Sequence, residues 1–429
     1  MRRATTTPYR KTSVSVAGAA CPRLICHTNV WEGILRRLQL IKEAEVIAEF
    51  LKSEFHHDEF HHYHKRFEHI VFRAVVSNAA LLFNAGAPFL FQGGLSRPQY
   101  SGYLEDSFRI GSNVTVSAGS RYDRSSLVVE AWQLSPRLGV AYSIKRTGTT
   151  LRASFNRLFM TPQIENLLLS SSPQARALSP FADQNGGGAA VAPERTSAYE
   201  VGVVQKMKGF KLGIVPWWRS FQNFTDANVF FNTTITFSNS VARAHAQGVD
   251  VRLEAPRYHG WSAFANYTNS RITGIGPING GLFLTDDFAT IGPGQKYTPD
   301  HDQRNVGSLA LSYARSKWHD LRFSFIARYQ SGVPIDSDQA AIDRLKSAPG
   351  AFLVDFDRKR LKPWTVCDSA VSINLMDKSA FTARWRLDVQ NLLNRQYAFN
   401  FGDPFEGTHF GAPRIWKMGL ELQLKKAER

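Results

Sequence analysis

A run of histidines is the most prominent group of chemically active side chains in the sequence. Residues 55–69 read FHHDEFHHYHKRFEH and hold six of the twelve histidines. His57 and His61 are four residues apart, as are Asp58 and His62, so a helix would place each pair on one face. Imidazole binds zinc, copper, iron and nickel, but a histidine run does not by itself supply a preformed geometry. We interpret the segment as a polar loop or interfacial stretch and predict no metal ligand.

The acidic residues offer a weaker candidate for metal chemistry. Asp286 and Asp287 are adjacent, and residues 300–302 read Asp-His-Asp; in an outward loop either group could coordinate calcium. The string 300–305 (DHDQRN) is better interpreted as the start of a strand at a membrane rim. The chain has no P-loop, HExxH or GxSxG motif, and its glycines miss the G-x-G-x-x-G spacing. We predict no catalytic residue, no cofactor and no enzymatic activity.

Composition narrows the classes of function. The 429 residues carry 52 Lys+Arg against 36 Asp+Glu, and the net charge of +16 suits nucleic acid, an anionic membrane surface or a basic pore. The basic residues are spread singly between apolar neighbours, which argues against nucleic-acid binding. Three cysteines exclude a disulfide-dense scaffold, and 12% aromatic residues exclude wholesale disorder. The most apolar stretch, 79–91, is interrupted by Asn84, Gly86 and Pro88, so no transmembrane helix is predicted.

Hydrophobicity alternates with a period of two residues along most of the chain. Residues 381–390 (FTARWRLDVQ) carry apolar side chains at odd positions and polar ones at even positions. Successive side chains of a strand point to opposite faces, so this pattern predicts a strand with one apolar and one polar face. About 14 segments follow the rule, most of them longer than the roughly 5–6 residues of soluble strands. They lie near 68–78, 97–110, 114–123, 135–146, 149–158, 196–207, 210–221, 243–256, 260–272, 303–314, 320–330, 365–376, 380–392 and 413–425.

The connections between these segments alternate in length. Short ones such as 111–113 and 208–209 take turns with long ones such as 124–134 and 222–242. Outer-membrane barrels have short periplasmic turns and long extracellular loops, and their strands need about 9–11 residues to cross the bilayer. Aromatic residues near the strand ends fit the girdles of such barrels. We predict an all-β, antiparallel transmembrane β-barrel with a periplasmic C-terminus; a soluble β-sandwich is the alternative.

Several strings within the predicted strands resemble TonB-dependent receptors, which are outer-membrane transporters of about 22 strands. Each string is a modest signal, but their order along residues 97–425 makes the resemblance specific. The strings are SPRLGVAY (135–142), LRASFNRLFMTPQIENLLLSSS (151–172), YEVGVVQ (199–205), GVDVRLE (248–254), DHDQRN (300–305), YQSGVP (329–334), VQNLLNRQY (389–397) and GTHFGAPR (407–414).

By this resemblance the chain is a partial barrel of about 14 out of 22 strands, with no recognisable signal peptide, TonB box or plug domain. We divide it into an atypical N-terminal segment, residues 1–67, and a receptor-like barrel, residues 68–429. Residues 31–69 fit a helix or a barrel strand equally well. The resemblance implies a location in the outer membrane. It also leads us to expect a fragment, from a split gene, a frameshifted start or a truncated paralogue.

The resemblance implies a receptor that binds a scarce, bulky ligand and is energised by the TonB complex. The ligand-facing loops would be 159–195, 273–302 and 331–364, while siderophore, cobalamin, glycan and metal complex all stay open as ligands. Expected partners are outer-membrane lipid, the TonB complex and a separately encoded plug half; no nucleic acid is expected. The alternatives are a passive porin of about 14–16 strands and a secreted β-rich glycan-binding module.

Arginines recur on the predicted inward, polar faces of the strands. They would attract an anionic solute or an acidic plug, or else pair with carboxylates, as Arg386 with Asp388 or Arg252 with Asp250. The inward residues are Arg121, Arg137, Arg152, Arg252, Arg322, Arg328, Arg384 and Arg386.

Overall fold

The fold was analysed on a computed structural model of the chain. The histidine run at 55–69, the division at residues 67 and 68, and Asp286-Asp287 lie outside the described residues, so these predictions stay untested. The structure describes residues 70–74, 89–93, 99–126, 129–162, 191–229, 236–279, 291–335, 339–403 and 407–424.

Twenty strands, numbered in chain order, account for most of the described residues. The long strands are β3 (Gln99–Ile110), β4 (Val114–Ser126), β5 (Glu130–Ile144), β6 (Thr149–Met160), β7 (Glu194–Met207), β8 (Phe210–Val229), β9 (Thr236–Tyr258), β10 (Trp261–Asn279), β12 (Asn305–Arg315), β13 (Leu321–Gln330), β16 (Trp364–Asp377), β17 (Phe381–Gln390) and β20 (Ile415–Leu424). The short strands are β1 (Ile70–Ala74), β2 (Phe89–Gly93), β11 (Lys296–Tyr297), β14 (Val354–Asp355), β15 (Arg360–Leu361), β18 (Ala398–Asp403) and β19 (Gly407–Phe410).

The long strands form one antiparallel sheet in which each pairs with the long strands before and after it in the chain. With β11, which pairs with β10, the sheet has 14 strands, which confirms the predicted fold class. The segment predicted at 68–78 contains β1, which pairs with β2 in a separate hairpin. Among the described residues β3 and β20 are the two edges of the large sheet, and they do not pair with each other.

Two of the predicted long connections are shorter than expected, because the strands beside them are longer. β4 and β5 stay paired as far as Ser126 and Glu130, and β8 and β9 as far as Val229 and Thr236. Hydrophobic alternation ends where contact with lipid ends, whereas backbone hydrogen bonds continue regardless of side-chain polarity. We call this end of the sheet the long-loop rim, and the end with turns such as 259–260 the short-turn rim.

The two faces of the sheet differ as the alternation predicts. On β20, Met418, Leu420 and Leu422 are exposed, and they share a face with the apolar residues of β17 opposite them. An apolar face that continues across many strands marks contact with lipid rather than water. Tyrosine and tryptophan border this face, as in the pair of Trp261 and Tyr313, whose ring centroids lie 4.8 Å apart at the short-turn rim.

Chain segments beyond the long-loop rim form a small apolar core. Helix α1 (Gln339–Lys346), a 3-10 turn at Ala351–Leu353, the β14–β15 hairpin and the β18–β19 hairpin contribute to it. We call the described residues between 331 and 363 and between 391 and 411 the cap. The buried residues of its apolar core are Ile335, Leu345, Val354, Leu361, Ala398 and Phe401.

None of the helices in the described part of the chain is long and apolar enough to cross a membrane.

Candidate functional site

All three loops predicted to face the ligand begin and end at the long-loop rim. Residues 163–190, 280–290 and 336–338 of these loops lie outside the described residues. Ligand binding by the loops therefore stays a prediction. Their described ends nevertheless have defined contacts, and these contacts build the site.

The end of the first loop is tied to the strands that follow it. Ser240 Oγ accepts a hydrogen bond from the Ala192 N–H and donates one to the Ala192 carbonyl, at 3.0 and 3.2 Å. The Thr225 N–H donates to Glu194 at 2.9 Å. These bonds hold the start of β7 against the outer ends of β8 and β9.

The end of the second loop folds back on β10. The Gly276 N–H donates to the Gln295 carbonyl at 2.9 Å, and β11 pairs with β10 at Gly274 and Tyr297. The Tyr297 ring lies over Gly274, where a Cβ atom would come within 2.2 Å of a ring carbon. Glycine at 274 therefore makes room for the ring. The ring also packs against an apolar cluster of Val241, Ile278 and Ile291.

Three side chains suited to metal binding converge beside this tyrosine. One oxygen of Asp226, one oxygen of Asp300 and a ring nitrogen of His301 all lie within 4.8 Å of one another. The Tyr297 hydroxyl donates a 3.1 Å hydrogen bond to Asp226, and the His301 ring contacts the Asp300 carboxylate. Burial, together with the negative charge of Asp226, raises the pKa of Tyr297. Tyr297 therefore stays protonated and orients Asp226.

Asp302 has a different environment. Its side chain is 1% exposed, and its carboxylate accepts hydrogen bonds from the Ile272 N–H at 3.0 Å, from Arg304 Nε at 2.5 Å and from Arg360. Arg360 also donates to the Asp302 carbonyl at 2.7 Å. Two guanidinium groups thus neutralise this carboxylate, so it cannot take part in the calcium site considered from the sequence. Its position just before β12 agrees with the interpretation of its string as the start of a strand.

The arginines on the polar face are mostly paired with carboxylates. Arg386 contacts Asp388 at 2.6 Å as predicted, whereas Arg252 contacts Glu254 at 2.6 Å, and Asp250 accepts a hydrogen bond from a threonine instead. Seven of the eight predicted inward arginines have such a counter-charge, which reduces their capacity to hold an anionic solute. The other pairs are Arg121 with Asp123, Arg137 with Glu105, Arg322 and Arg384 with Asp320, and Arg328 with Asp368.

Two asparagines join the strings 389–397 and 407–414. The Asn391 amide donates to the carbonyls of Arg395 and Ala412, both at 2.9 Å, and its oxygen accepts from the Arg395 N–H at 2.8 Å. Asn394 accepts from the Arg414 N–H at 3.0 Å. Both asparagines have positive φ, which asparagine adopts more readily than most residues. These bonds fix the base of the cap.

A cleft of about 520 Å³ lies between the third loop and residues 393–398. Its aromatic wall includes Trp364 and Tyr397, whose ring centroids are 4.5 Å apart. Lys362 and Arg395 add two positive charges, and the described lining contains no carboxylate. Two exposed cations with no carboxylate beside them suit an anionic ligand.

Several of these residues could not be identified from the sequence. Asp226 lies in a segment predicted to be a loop, and its partners are more than 70 residues away along the chain. Arg360 reaches Asp302 from the third loop, 58 residues away. Only the three-dimensional fold, which brings loop ends against the strands, reveals either contact.

Comparison with known proteins identifies the family. A sequence profile of the family described as TonB dependent receptor-like, beta-barrel matches residues 45–392. No curated protein matches the chain. The profile covers most of the strands of the large sheet, including the six strings between residues 135 and 334 that carry the resemblance.

Solved structures share this fold at low identity. The outer membrane transporter YddB from Escherichia coli has a TM-score of 0.53 and 13% identity, over 82% of this chain and 49% of its own. The ferric-catecholate import receptor Fiu from Escherichia coli K12 has a TM-score of 0.51 and 14% identity, over 75% and 44%. The pyoverdine receptor FpvA from Pseudomonas aeruginosa PAO1, solved with pyoverdine bound, has a TM-score of 0.50 and 17% identity, over 78% and 44%.

The chain thus spans less than half the length of these relatives. The relatives are receptors and transporters rather than enzymes, and they include outer-membrane proteins. Identities this low show a common fold alone. The profile match over most of the chain shows more: this protein belongs to the TonB-dependent receptor β-barrel family.

Proposed function

We propose that the chain forms part of the β-barrel of an outer-membrane receptor. This receptor would take up a scarce metal complex, such as a metal–siderophore complex. The family match over residues 45–392 carries this proposal. The sheet supports it, because one face is apolar and exposed while the other holds ion pairs. That arrangement suits lipid outside the barrel and a hydrated or plug-filled lumen inside.

The cleft under the cap supports an anionic ligand. Lys362 and Arg395 provide positive charge beside the rings of Trp364 and Tyr397. Fiu is a ferric-catecholate import receptor, and FpvA is a pyoverdine receptor that was solved with pyoverdine bound. An anionic metal complex matches the cleft better than a neutral glycan, because only the complex carries charge opposite to the two exposed cations.

We further propose that additional strands and a plug domain complete the barrel. Within the described residues the large sheet has 13 long strands, and β3 and β20 are its edges, whereas closed barrels of this type have about 22 strands. Further sequence would supply the remaining strands, the plug and the contact with TonB. That sequence would either be continuous with this chain or be encoded separately. Co-purification of a plug-containing polypeptide with the chain from outer membranes would support the second arrangement.

The test is uptake by the native host. We expect deletion of the gene to reduce uptake of radioactive iron supplied as an anionic catecholate complex, and loss of TonB to reduce it equally. Restoring the gene should restore uptake only where TonB is present. TonB-independent diffusion of sugars through the reconstituted protein would instead assign a passive porin. A protein that is soluble without detergent, with no heat-modifiable migration on a gel, would assign a secreted binding module.

A further inference from the structure

We propose that Asp226, Asp300 and His301 form a zinc-binding site at the long-loop rim, separate from the cleft under the cap. Their ligand atoms lie within 4.8 Å of one another, although β8 and the end of the second loop are far apart in the chain. Ligand atoms around one zinc ion lie roughly 3.4 Å apart when each is bound at about 2.0–2.2 Å. The group therefore needs only a small rearrangement, in which His301 and Asp300 separate slightly and both approach Asp226.

The segment that supplies two of the ligands can make this adjustment. The His301 side chain is 77% exposed and that of Asp300 is 36% exposed. The third ligand is held in place, because Asp226 lies on β8 and accepts the Tyr297 hydrogen bond. Tyr297 would serve as the outer-shell donor that orients the Asp226 ligand, an arrangement common at metal sites.

An independent observation comes from Asn239. Its side chain is 2% exposed, and its Oδ1 atom has no hydrogen-bond partner among the described residues. Asn239 is the register partner of Asp226 on the neighbouring strand, so the two side chains share a face and stand about 5 Å apart at Cβ. A buried amide oxygen without a partner is costly. A cation held by Asp226 would supply the missing partner, either directly or through a bound water.

The donor set favours zinc over calcium. Calcium takes about 6–8 oxygen ligands, whereas this group offers an imidazole nitrogen and few oxygens. Zinc accepts imidazole and carboxylate together, usually with four ligands in all. Two carboxylates also balance the charge of a divalent ion.

The experiment is zinc titration calorimetry on the full chain isolated from membranes in detergent, with any co-purifying partner. The histidine run would add background, so the reference is a variant in which its members are replaced by alanine. Those members are His56, His57, His61, His62, His64 and His69. We expect the reference to bind one equivalent of zinc, and we expect His301→Ala to lose that equivalent.

Matched variants decide the outcome. Asp226→Asn should also lose the equivalent, and His409→Ala, which removes another exposed histidine at the same rim, should retain it. Tyr297→Phe should weaken binding about 10–100-fold, because it removes an outer-shell donor. Heat-modifiable migration on a gel reports whether each variant folds, and His301→Gln serves if His301→Ala does not. Undiminished binding in a folded His301 variant would overturn the proposal, as would full displacement of zinc by equimolar calcium.

Discussion

Two acid-centred clusters lie at the long-loop rim, and both draw on the string Asp-His-Asp at 300–302. Asp302 is buried and bound by Arg304 and Arg360. Asp300 lies beside His301 and Asp226 on a partly exposed surface. Asp300 and Asp302, two positions apart in one string, therefore lie in opposite electrostatic environments. The difference lies in the partners that distant segments bring to each carboxylate.

Desolvation explains the contrast. A carboxylate as buried as Asp302 is retained only when opposite charges and hydrogen bonds replace its water shell, and two guanidinium groups and a backbone N–H do so. At Asp226 the bound donor is a neutral phenol, which orients the carboxylate without neutralising it. The first cluster therefore stabilises the loop ends, and the second keeps negative charge that suits a cation.

The largest expected effect comes from removing the buried charge. Asp302→Asn should lower the free energy of unfolding by about 3–5 kcal/mol, because it leaves two arginines without their counter-charge. Urea unfolding in lipid vesicles measures this change. Asp343→Asn is the control, since Asp343 forms an exposed pair with Lys346 and should change stability by less than about 1 kcal/mol. Equal losses of stability in Asp302→Asn and Asp343→Asn would contradict the conclusion that burial makes the Asp302 charge structural.

Asn391→Ala tests how much an uncharged side chain with several hydrogen bonds contributes to stability, compared with Asp302. Asn391 is 3% exposed, and its side chain takes part in three hydrogen bonds at the base of the cap. We expect a loss of about 2–3 kcal/mol, because buried backbone groups lose their partners. Limited proteolysis should show faster cleavage within residues 391–414. An unchanged cleavage pattern would mean that the cap is held by its apolar core alone.

Tyr297→Phe addresses the second cluster. The variant removes the hydrogen bond to Asp226 and leaves the ring on Gly274, so we expect a loss of about 1 kcal/mol. This is smaller than the effect of Asp302→Asn because no charge is left uncompensated. Urea unfolding in the same vesicles provides the measurement. A loss as large as that of Asp302→Asn would show that this cluster is structural too.

The same tyrosine predicts a dependence on pH. Burial raises the pKa of Tyr297 in the folded protein, so above about pH 10 the unfolded chain releases a proton that the folded chain keeps. Stability from this group is complete below the unfolded pKa and falls as the pH rises above it, by at most about 1.4 kcal/mol per pH unit. Between pH 9 and pH 11 the wild type should therefore lose more stability than Tyr297→Phe. Parallel curves for the two proteins would contradict the assignment.

The smallest effect is expected at the inward ion pairs. Arg386 and Asp388 lie 2.6 Å apart, but the arginine is 60% exposed, so solvent screens the pair. Arg386→Gln should change the free energy of unfolding by less than about 1 kcal/mol. Asp388→Asn is the matched partner variant, and the double variant gives the coupling energy. A coupling energy above about 2 kcal/mol would show that this pair stabilises the fold as a buried ion pair does, like Asp302 and its arginines, and not as an exposed pair does.

The pattern of apolar and polar residues was enough to locate the strands and to assign their faces. Alternation of apolar and polar residues depends only on neighbouring positions, because a strand places successive side chains on opposite faces. The segment 381–390 could therefore be assigned to β17 with its inward arginines, and the pairing of Arg386 with Asp388 followed from a separation of two residues. The predicted strand ends were less accurate at the long-loop rim, because the strands there stay hydrogen-bonded after the alternation of apolar and polar residues has ended.

Only contacts in space distinguish the structural acidic residue from the one that we propose to bind a cation. Asp300 and Asp302 carry the same carboxylate in the same string, so no local pattern separates them. Arg360 comes to Asp302 from 58 residues away, and Asp226 comes to Asp300 and His301 across the strands of the sheet. Electrostatic environment depends on distance in space, and the folding of the loop ends against the sheet sets that distance.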